Sequence, residues 1–305
     1  MNTLLKYLMI PVAAAGFTIA GCSGSEYQNH DSDVALGNFV AQNSGEFIED
    51  GQVKIGIVSD IEGALDNARN SAAKLRGVEG LDAVIVAGDC YENEDIRRNP
   101  SYPGSTDNVN EMIDGIKPYA ELGVPVFVIA GNHEVQSVYN EAIGRLREEF
   151  PNVFDINDET VDLEGLNLVG MGGYHHPRFT DVNGFLLNGN DYERAFSDLK
   201  ELQSQNEPTV LVTHGPPKAS GSSRIDLVRG AGHVGDESTR EIMQSPDLSD
   251  VTNVHGHIHE GGRNSFGYRA GKSHNVAAVT SFMNRRGPNT SLLTIEDGQV
   301  VVDGF

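Results

Sequence analysis

Basic residues are the scarce class in this chain. Only 22 of its 305 residues are Lys or Arg, lysine being the smaller share, against 44 Asp and Glu, for a formal net charge of -22. A polyanion partner needs a Lys/Arg footprint that this sequence does not supply, which argues against nucleic-acid binding. The same acidity fits a salty exterior, where screening weakens self-repulsion. It also repels phosphorylated substrates, so a phosphate held by this protein has to be held beside bound cations. Cysteine is nearly absent, with Cys22 and Cys90 the two present, and no thiolate cluster exists to build a structural zinc site. The body contains no internal repeat, no low-complexity tract and no Gly-x-Ser-x-Gly nucleophile motif. The hydrophobic fraction of 38% is modest, yet a chain of this length buries most of its surface and can build a full core.

The one long apolar run lies at the start. Lys6 precedes a stretch from Tyr7 to Ala20, of signal-peptide length and short for a membrane span. Ile19-Ala20-Gly21-Cys22 resembles a lipoprotein cleavage box, in which the cysteine is acylated and becomes the mature N-terminus. The alternative is a cleaved secretory signal with an incidental cysteine. The expected organisation is therefore a lipoprotein signal peptide over 1–21, a flexible tether over 22–50 rich in Ser, Asn, Asp, Glu and Gly, and a folded body over 51–305. The protein is expected to be exported and anchored to a cell-envelope membrane through Cys22. With Cys22 acylated, Cys90 has no disulfide partner in the chain.

Within the body, apolar runs and helical spacings alternate. Val53–Ser59, Asp82–Ala87, Pro125–Ala130, Leu166–Met171, Thr209–Thr213 and Val251–Val254 predict buried strands. Leu65, Ala68, Ala72 and Leu75 predict a helix, as do Val109, Met112, Ile113 and Ile116, then Val138, Ala142, Ile143 and Leu146, then Tyr192, Ala195, Phe196 and Leu199. The last part changes character: Val276–Thr280, Ser291–Ile295 and Val300–Val302 predict strands with little helix between, and Asp297-Gly298 is a hairpin turn signal. Alternating α and β followed by a run of β predicts an α/β sandwich with mixed sheets.

Five short polar segments follow predicted strands in a fixed order: Ser59-Asp60-Ile61-Glu62-Gly63, Gly88-Asp89-Cys90, Gly131-Asn132-His133-Glu134, Thr213-His214-Gly215 and Gly256-His257-Ile258-His259. Strand ends converge in open α/β sheets, so the five segments predict one site. Mixed oxygen and imidazole donors suit hydrolytic metals such as Mn²⁺, Zn²⁺ and Fe. Asp60 and Glu62, two apart in an extended segment, would face one ion together, with an acceptor that supports a metal ligand, or a surface carboxylate, as the other reading of Glu62. Asp89 suits a bridging carboxylate, its alternative being a turn or N-cap aspartate. His257 and His259 also stand two apart. Cys90 reads as a small buried hydrophobe, and His255 as a residue that packs or hydrogen-bonds behind the metal ligands. His175, His176, Arg178, His233 and the Arg285-Arg286 pair read as solvated loop residues, with a phosphate clamp at Arg285 or Arg286 as the alternative.

In order and content these segments resemble the calcineurin-like metallophosphoesterase superfamily, whose usual pattern is Asp-x-His, Gly-Asp, Gly-Asn-His-Asp/Glu, His and Gly-His-x-His. The resemblance covers about residue 53 to residue 260, and the third and fifth motifs are its specific part. It implies an α/β sandwich of two mixed sheets flanked by helices, and two divalent metal ions, Mn or Fe, with Mg or Zn as alternatives. It assigns Asp60, Glu62 and His259 to the first metal and Asn132, His214 and His257 to the second, with Asp89 between the two. His133 then contacts the phosphoryl group or protonates the leaving oxygen, and Glu134 or Glu92 is a candidate to orient it. The implied reaction is hydrolysis of a small phosphate ester by in-line attack of a hydroxide held between the metals. Glu62 stands where the family usually has histidine, which motivates an alternative: a catalytically weak or inactive relative that binds metal or ligand as a surface lipoprotein. Specificity falls to the loops 91–108 and 174–190.

Overall fold

The computed structural model describes residues 52–92, 104–163, 165–205, 207–221, 223–259, 264–276, 278–279, 289–296 and 298–304. The predicted signal peptide and tether, Cys22, Arg285, Arg286 and Asp297 lie outside these residues.

Apolar pentads and tetrads form the inner strands. Lys54–Val58 (β1), Ala83–Ala87 (β2) and Val126–Ile129 (β3) are almost wholly buried, and they pair in parallel. Val153–Asp155 (β4) extends this sheet in parallel beyond β3. On the other side, Ser291–Glu296 (β13) pairs antiparallel with β1 and Gln299–Gly304 (β14) antiparallel with β13. The order of the first sheet is β14-β13-β1-β2-β3-β4.

The second sheet is built around Asn167–Met171 (β6), Thr209–Thr213 (β7) and Val251–His255 (β10), again parallel and fully buried. Thr160–Asp162 (β5) caps one edge antiparallel; Gly271–Asn275 (β12) pairs in parallel with β10 and carries the antiparallel edge strand Ser265–Gly267 (β11). Both sheets are therefore mixed, as expected. Leu227–Val228 (β8) and Gly232–His233 (β9) form a separate small hairpin.

Side-chain alternation assigns each strand two faces. Ile55, Ile57, Ile85, Ala87, Phe127 and Ile129 of the first sheet pack against Leu168, Val210, Val212 and Val254 of the second. Val58, Val84, Val86, Val126 and Val128 point the other way, onto helices Leu65–Arg76 (α1), Thr106–Ala120 (α2) and Gln136–Glu149 (α3). Val169, Leu211 and Val251 pack onto Gly189–Leu202 (α4) and Glu237–Met243 (α5). The four predicted helices coincide with α1 to α4. Capping marks two of their starts: Ser105 with Asn108 and Asn188 with Asp191 form reciprocal capping boxes.

One predicted strand is corrected. Val276–Thr280 is not a strand where it is described: β12 ends at Asn275, and Val279 leaves the sheet to donate its N–H to Ser59 O at 2.9 Å. The order of the strands then sets the site. Four of the motif segments leave the carboxyl ends of β1, β2, β3 and β10, and the fourth motif begins on the last residue of β7.

Candidate metal centre

The motif loops approach so closely that their glycines have no room for a side chain. A Cβ on Gly256 would lie 1.8 Å from Ser59 Oγ and 2.3 Å from Asp60 Oδ2; one on Gly131 would lie 2.1 Å from Asp89 Oδ1. The fifth motif thus presses on the first and the third on the second. Asp60, Glu62, Asp89 and His257 all adopt left-handed backbone, with φ of 53°, 43°, 54° and 65°. Such backbone costs a non-glycine residue roughly 1–2 kcal/mol, and it gathers where a site holds it in place. Asp60 and Glu62 are consequently not in an extended segment; turn geometry, not strand alternation, brings their carboxylates together.

The donor atoms of Asp60, Glu62 and His259 lie within 4.8 Å of one another, and so do those of Asp89, His214 and His257. Glu62, Asp89 and His133 make a third such group. His259 Nε2 stands 3.1 Å from Asp60 Oδ1 and 3.5 Å from Glu62 Oε1. His214 Nδ1 lies 2.9 Å from Ala87 O, an acceptor only, so this nitrogen carries the proton. That leaves Nε2 facing Asn132 Oδ1 at 2.9 Å and Asp89 Oδ2 at 3.1 Å. The Asn132 amide is turned the same way, since its Nδ2 donates to Phe179 O at 2.8 Å. His257 packs on Tyr174 with the rings tilted by 37° and 4.2 Å between centroids, while Tyr174 anchors itself by donating from its hydroxyl to Val234 O.

Electrostatics matches this donor set to cations. Burial alone would raise Asp89, but His214 and His133 overcome it and hold the carboxyl well below its usual range. The same opposition lowers Asp60, where the contact with His259 outweighs burial. Burial works against protonated His214 and His259, yet Asp89 lifts the first to about 10 and Asp60 the second to about 9. Those protons occupy the place in the charge balance that a divalent cation would take. Burial and repulsion from His214 push His257 down to about 3, leaving a neutral imidazole with a free lone pair. Glu62 is raised to about 7 by burial, with Asp60 and Asp89 adding to it against His259. Oxygen and imidazole donors with three buried or half-buried carboxylates fit hard or borderline divalent ions.

His133 stands beside this centre, its Nε2 3.8 Å from Asp89 Oδ2 and its Nδ1 3.4 Å from Asp181 Oδ2. The expectation that Glu134 orients it is corrected. Fully buried Glu134 accepts the backbone N–H groups of Asp89 at 3.1 Å, Gly131 at 2.6 Å and Cys90, so it ties the second motif to the third. Asp181, in the loop after β6, is the carboxylate that faces His133 Nδ1. No motif marks it in the sequence. Cys90 is buried in the core as expected. His255 is fully buried and donates from Nδ1 to Gly256 O at 3.0 Å. His233 is exposed, as the solvated reading expects, and its Nδ1 pairs with buried Asp226 at 2.7 Å. His175 packs against Tyr174 with the rings tilted by 59°, and His176 accepts from Arg178 N. Among the described residues, the exposed large hydrophobic side chains are Phe179, Val182 and Leu186, all on that same loop.

Known proteins are similar to this chain in sequence or in fold. A probable cyclic nucleotide phosphodiesterase of Synechococcus sp. is 24% identical over 147 residues, 48% of this chain and 47% of that protein; the match spans about half of that relative's length. A dimetal phosphatase from Danio rerio superposes with a TM-score of 0.54 at 12% identity, covering 82% of this chain and 98% of the other. A Thermus thermophilus protein gives 0.56 at 14% identity, with coverage of 82% and 98%. These likenesses speak to the fold. The calcineurin-like phosphoesterase family itself matches residues 53–261, the stretch that runs from β1 through all five motif loops, and the chain belongs to that family.

Proposed function

We propose that this protein is an exported, lipid-anchored phosphoesterase that hydrolyses small phosphate esters at a dinuclear metal centre. The observation that carries the reading is the pair of donor clusters, Asp60–Glu62–His259 and Asp89–His214–His257, built from four loops at strand ends. Asp60, Glu62 and His259 would hold one ion and Asn132, His214 and His257 the other, with Asp89 shared. Bound there, two divalent ions supply Lewis acidity and a nucleophilic water at neutral pH. The chain's own part is positioning. Ala87 O fixes the His214 tautomer, Phe179 O turns the Asn132 amide, and Glu134 holds the second and third loops in register. His133 borders the clusters with Nε2 directed at them, the place from which a histidine meets a phosphoryl oxygen or gives a proton to a leaving oxygen. Metal content together with turnover of a generic aryl phosphate tests the whole reading; metal-loaded protein without turnover would leave a binding protein instead.

Glu62 supports a complete first cluster, since it takes histidine's usual place while keeping a donor beside Asp60 and His259. Exchanging imidazole for carboxylate favours Mn²⁺, Mg²⁺ or Fe over Zn²⁺. Glu62→Gln is expected to empty the first site and leave the second filled, so that metal per chain falls from about two to about one; Glu62→His restores binding with a shift toward Zn²⁺. Unchanged stoichiometry and unchanged metal preference in Glu62→Gln would remove this residue from the ligand set.

The placement of the enzyme rests on the sequence of residues 1–50. We assign 1–21 to the signal peptide, 22–50 to the tether and 51–305 to the catalytic domain. No described helix is long and apolar enough to cross a membrane, and attachment is assigned to acyl chains on Cys22. A fatty-acid analogue is expected to label the wild type and not Cys22→Ser; equal labelling of both would overturn the assignment.

A further inference from the structure

The loop from residue 172 to residue 188, between β6 and α4, is bound to the third motif at several points. Phe179 O receives Asn132 Nδ2, Asp181 N donates to Asn132 O at 2.9 Å, and Gln136 N donates to Asn183 O at 3.0 Å. Gly184 N donates to Asp181 O at 2.9 Å, so the backbone of Asp181 is held on both sides without help from its side chain. The carboxylate is thereby free to do something else, and it stands 3.4 Å from His133 Nδ1. The two side chains are 17% and 12% exposed, which shields the pair from solvent yet leaves the imidazole open to a ligand.

We propose that Asp181 is the positioning residue for His133: it holds the Nδ1 proton, fixes the ring plane and so keeps Nε2 directed at the phosphoryl group. The inference rests on the reading of His133 as the group that meets the substrate. As the P–O bond to the leaving alcohol breaks, its electron pair stays on oxygen and the Nε2 proton passes to that oxygen. The water that adds to phosphorus supplies the proton that later restores the imidazole. A carboxylate at Nδ1 sets the tautomer and stabilises the imidazolium before transfer, the division of labour found in serine-protease triads. The loop after β6 would then belong to the catalytic assembly as well as to its rim.

The full chain, loaded with Mn²⁺, is compared as wild type, Asp181→Ala, Asp181→Asn and Asp181→Glu on para-nitrophenyl and phenyl phosphate esters. Asp181→Ala is expected to keep the wild-type metal content and to lose roughly 10- to 100-fold in kcat on the phenyl ester. The loss on the para-nitrophenyl ester is several-fold smaller, because that phenolate leaves without a proton. Asp181→Glu recovers part of the loss. Imidazole nitrogen NMR on the neutral ring in the diamagnetic Mg²⁺-loaded chain, with the His133 signal identified by its disappearance in His133→Ala, is expected to show a proton on Nδ1 in the wild type and a tautomer mixture in Asp181→Ala. Equal losses on both esters with an unchanged tautomer would overturn the proposal. If the wild type hydrolyses neither ester, the functional reading fails, while the tautomer still decides whether Asp181 positions His133.

Discussion

Asp89→Asn is expected to give a folded protein that binds no metal and hydrolyses nothing. The geometry allows the substitution structurally. Asp89 sits at φ 54°, a conformation asparagine tolerates well, and an amide oxygen can still accept the His133 N–H that now reaches Oδ1 at 3.0 Å. What changes is the other atom. Oδ2 lies 3.1 Å from His214 Nε2, and replacing it with an NH₂ group sets a donor where a shared anionic oxygen is needed. The loss in kcat/KM is expected to be on the order of 10³-fold or more, equivalent to about 4 kcal/mol of transition-state stabilisation. A thermal readout separates this from misfolding. In the wild type, Mn²⁺ at 100 times its Kd adds about 2.7 kcal/mol of stability; in Asp89→Asn the Tm is expected not to respond to Mn²⁺, while the metal-free unfolding transition stays cooperative and moves down, because His214 and His133 lose the buried carboxylate they pair with. A Mn²⁺-dependent rise of wild-type size in the variant would exclude Asp89 as a shared ligand.

The predicted strands that lead into motifs were legible because they are short, apolar and β-branched on both faces, as in Ala83–Ala87 and Thr209–Thr213, and each gives way to a polar segment. Their carboxyl ends alone placed the five motifs together. The sequence of β12, Gly-Lys-Ser-His-Asn, has no such signature; it is a strand because β10 offers it a parallel ladder. Conversely, the apolar stretch from Val276 looks like a strand by composition, yet its amide at Val279 is used by Ser59 O to cover the first motif. Tertiary hydrogen bonding decided both cases. Within the site, residue type revealed the ligand candidates, but which carboxylate serves which partner could not be read. Glu134 adjoins His133 in sequence and spends itself on backbone amides, whereas Asp181 is 48 positions away and faces the ring. Adjacency along a turn says little about direction. The left-handed backbone of Asp60 and Glu62 was hidden for the same reason: tertiary contacts hold it, the packing of Gly256 on Ser59 and Asp60 and the N–H groups of Asp60 and Glu62 bonded to Gly88 O and Asp89 O.

His133→Ala is expected to behave as the opposite of Asp89→Asn, retaining metal and losing turnover. The hydrogen bond that His133 makes with the shared carboxylate runs through its backbone N–H to Asp89 Oδ1, and alanine keeps it, losing only the longer 3.8 Å approach of Nε2 to Oδ2. Asn132 also keeps both of its anchors, since Phe179 O and the Asp181 N–H reach it independently of the imidazole. Removing the ring therefore takes away a group that faces the substrate and leaves the ligand loops in place. A general acid or phosphoryl contact of this kind contributes roughly 10²- to 10⁴-fold, and kcat is expected to fall by that order with two metals still bound. The deficit should be largest on esters whose alcohol needs a proton to leave. Adding Asp181→Ala to His133→Ala should cost nothing further, because a positioning residue has nothing left to position. Metal analysis guards the interpretation, since Glu62, Asp89 and His133 also stand close enough to share an ion. If His133→Ala lost one metal per chain, His133 would be a ligand, and full activity on both classes of ester would remove it from the mechanism altogether.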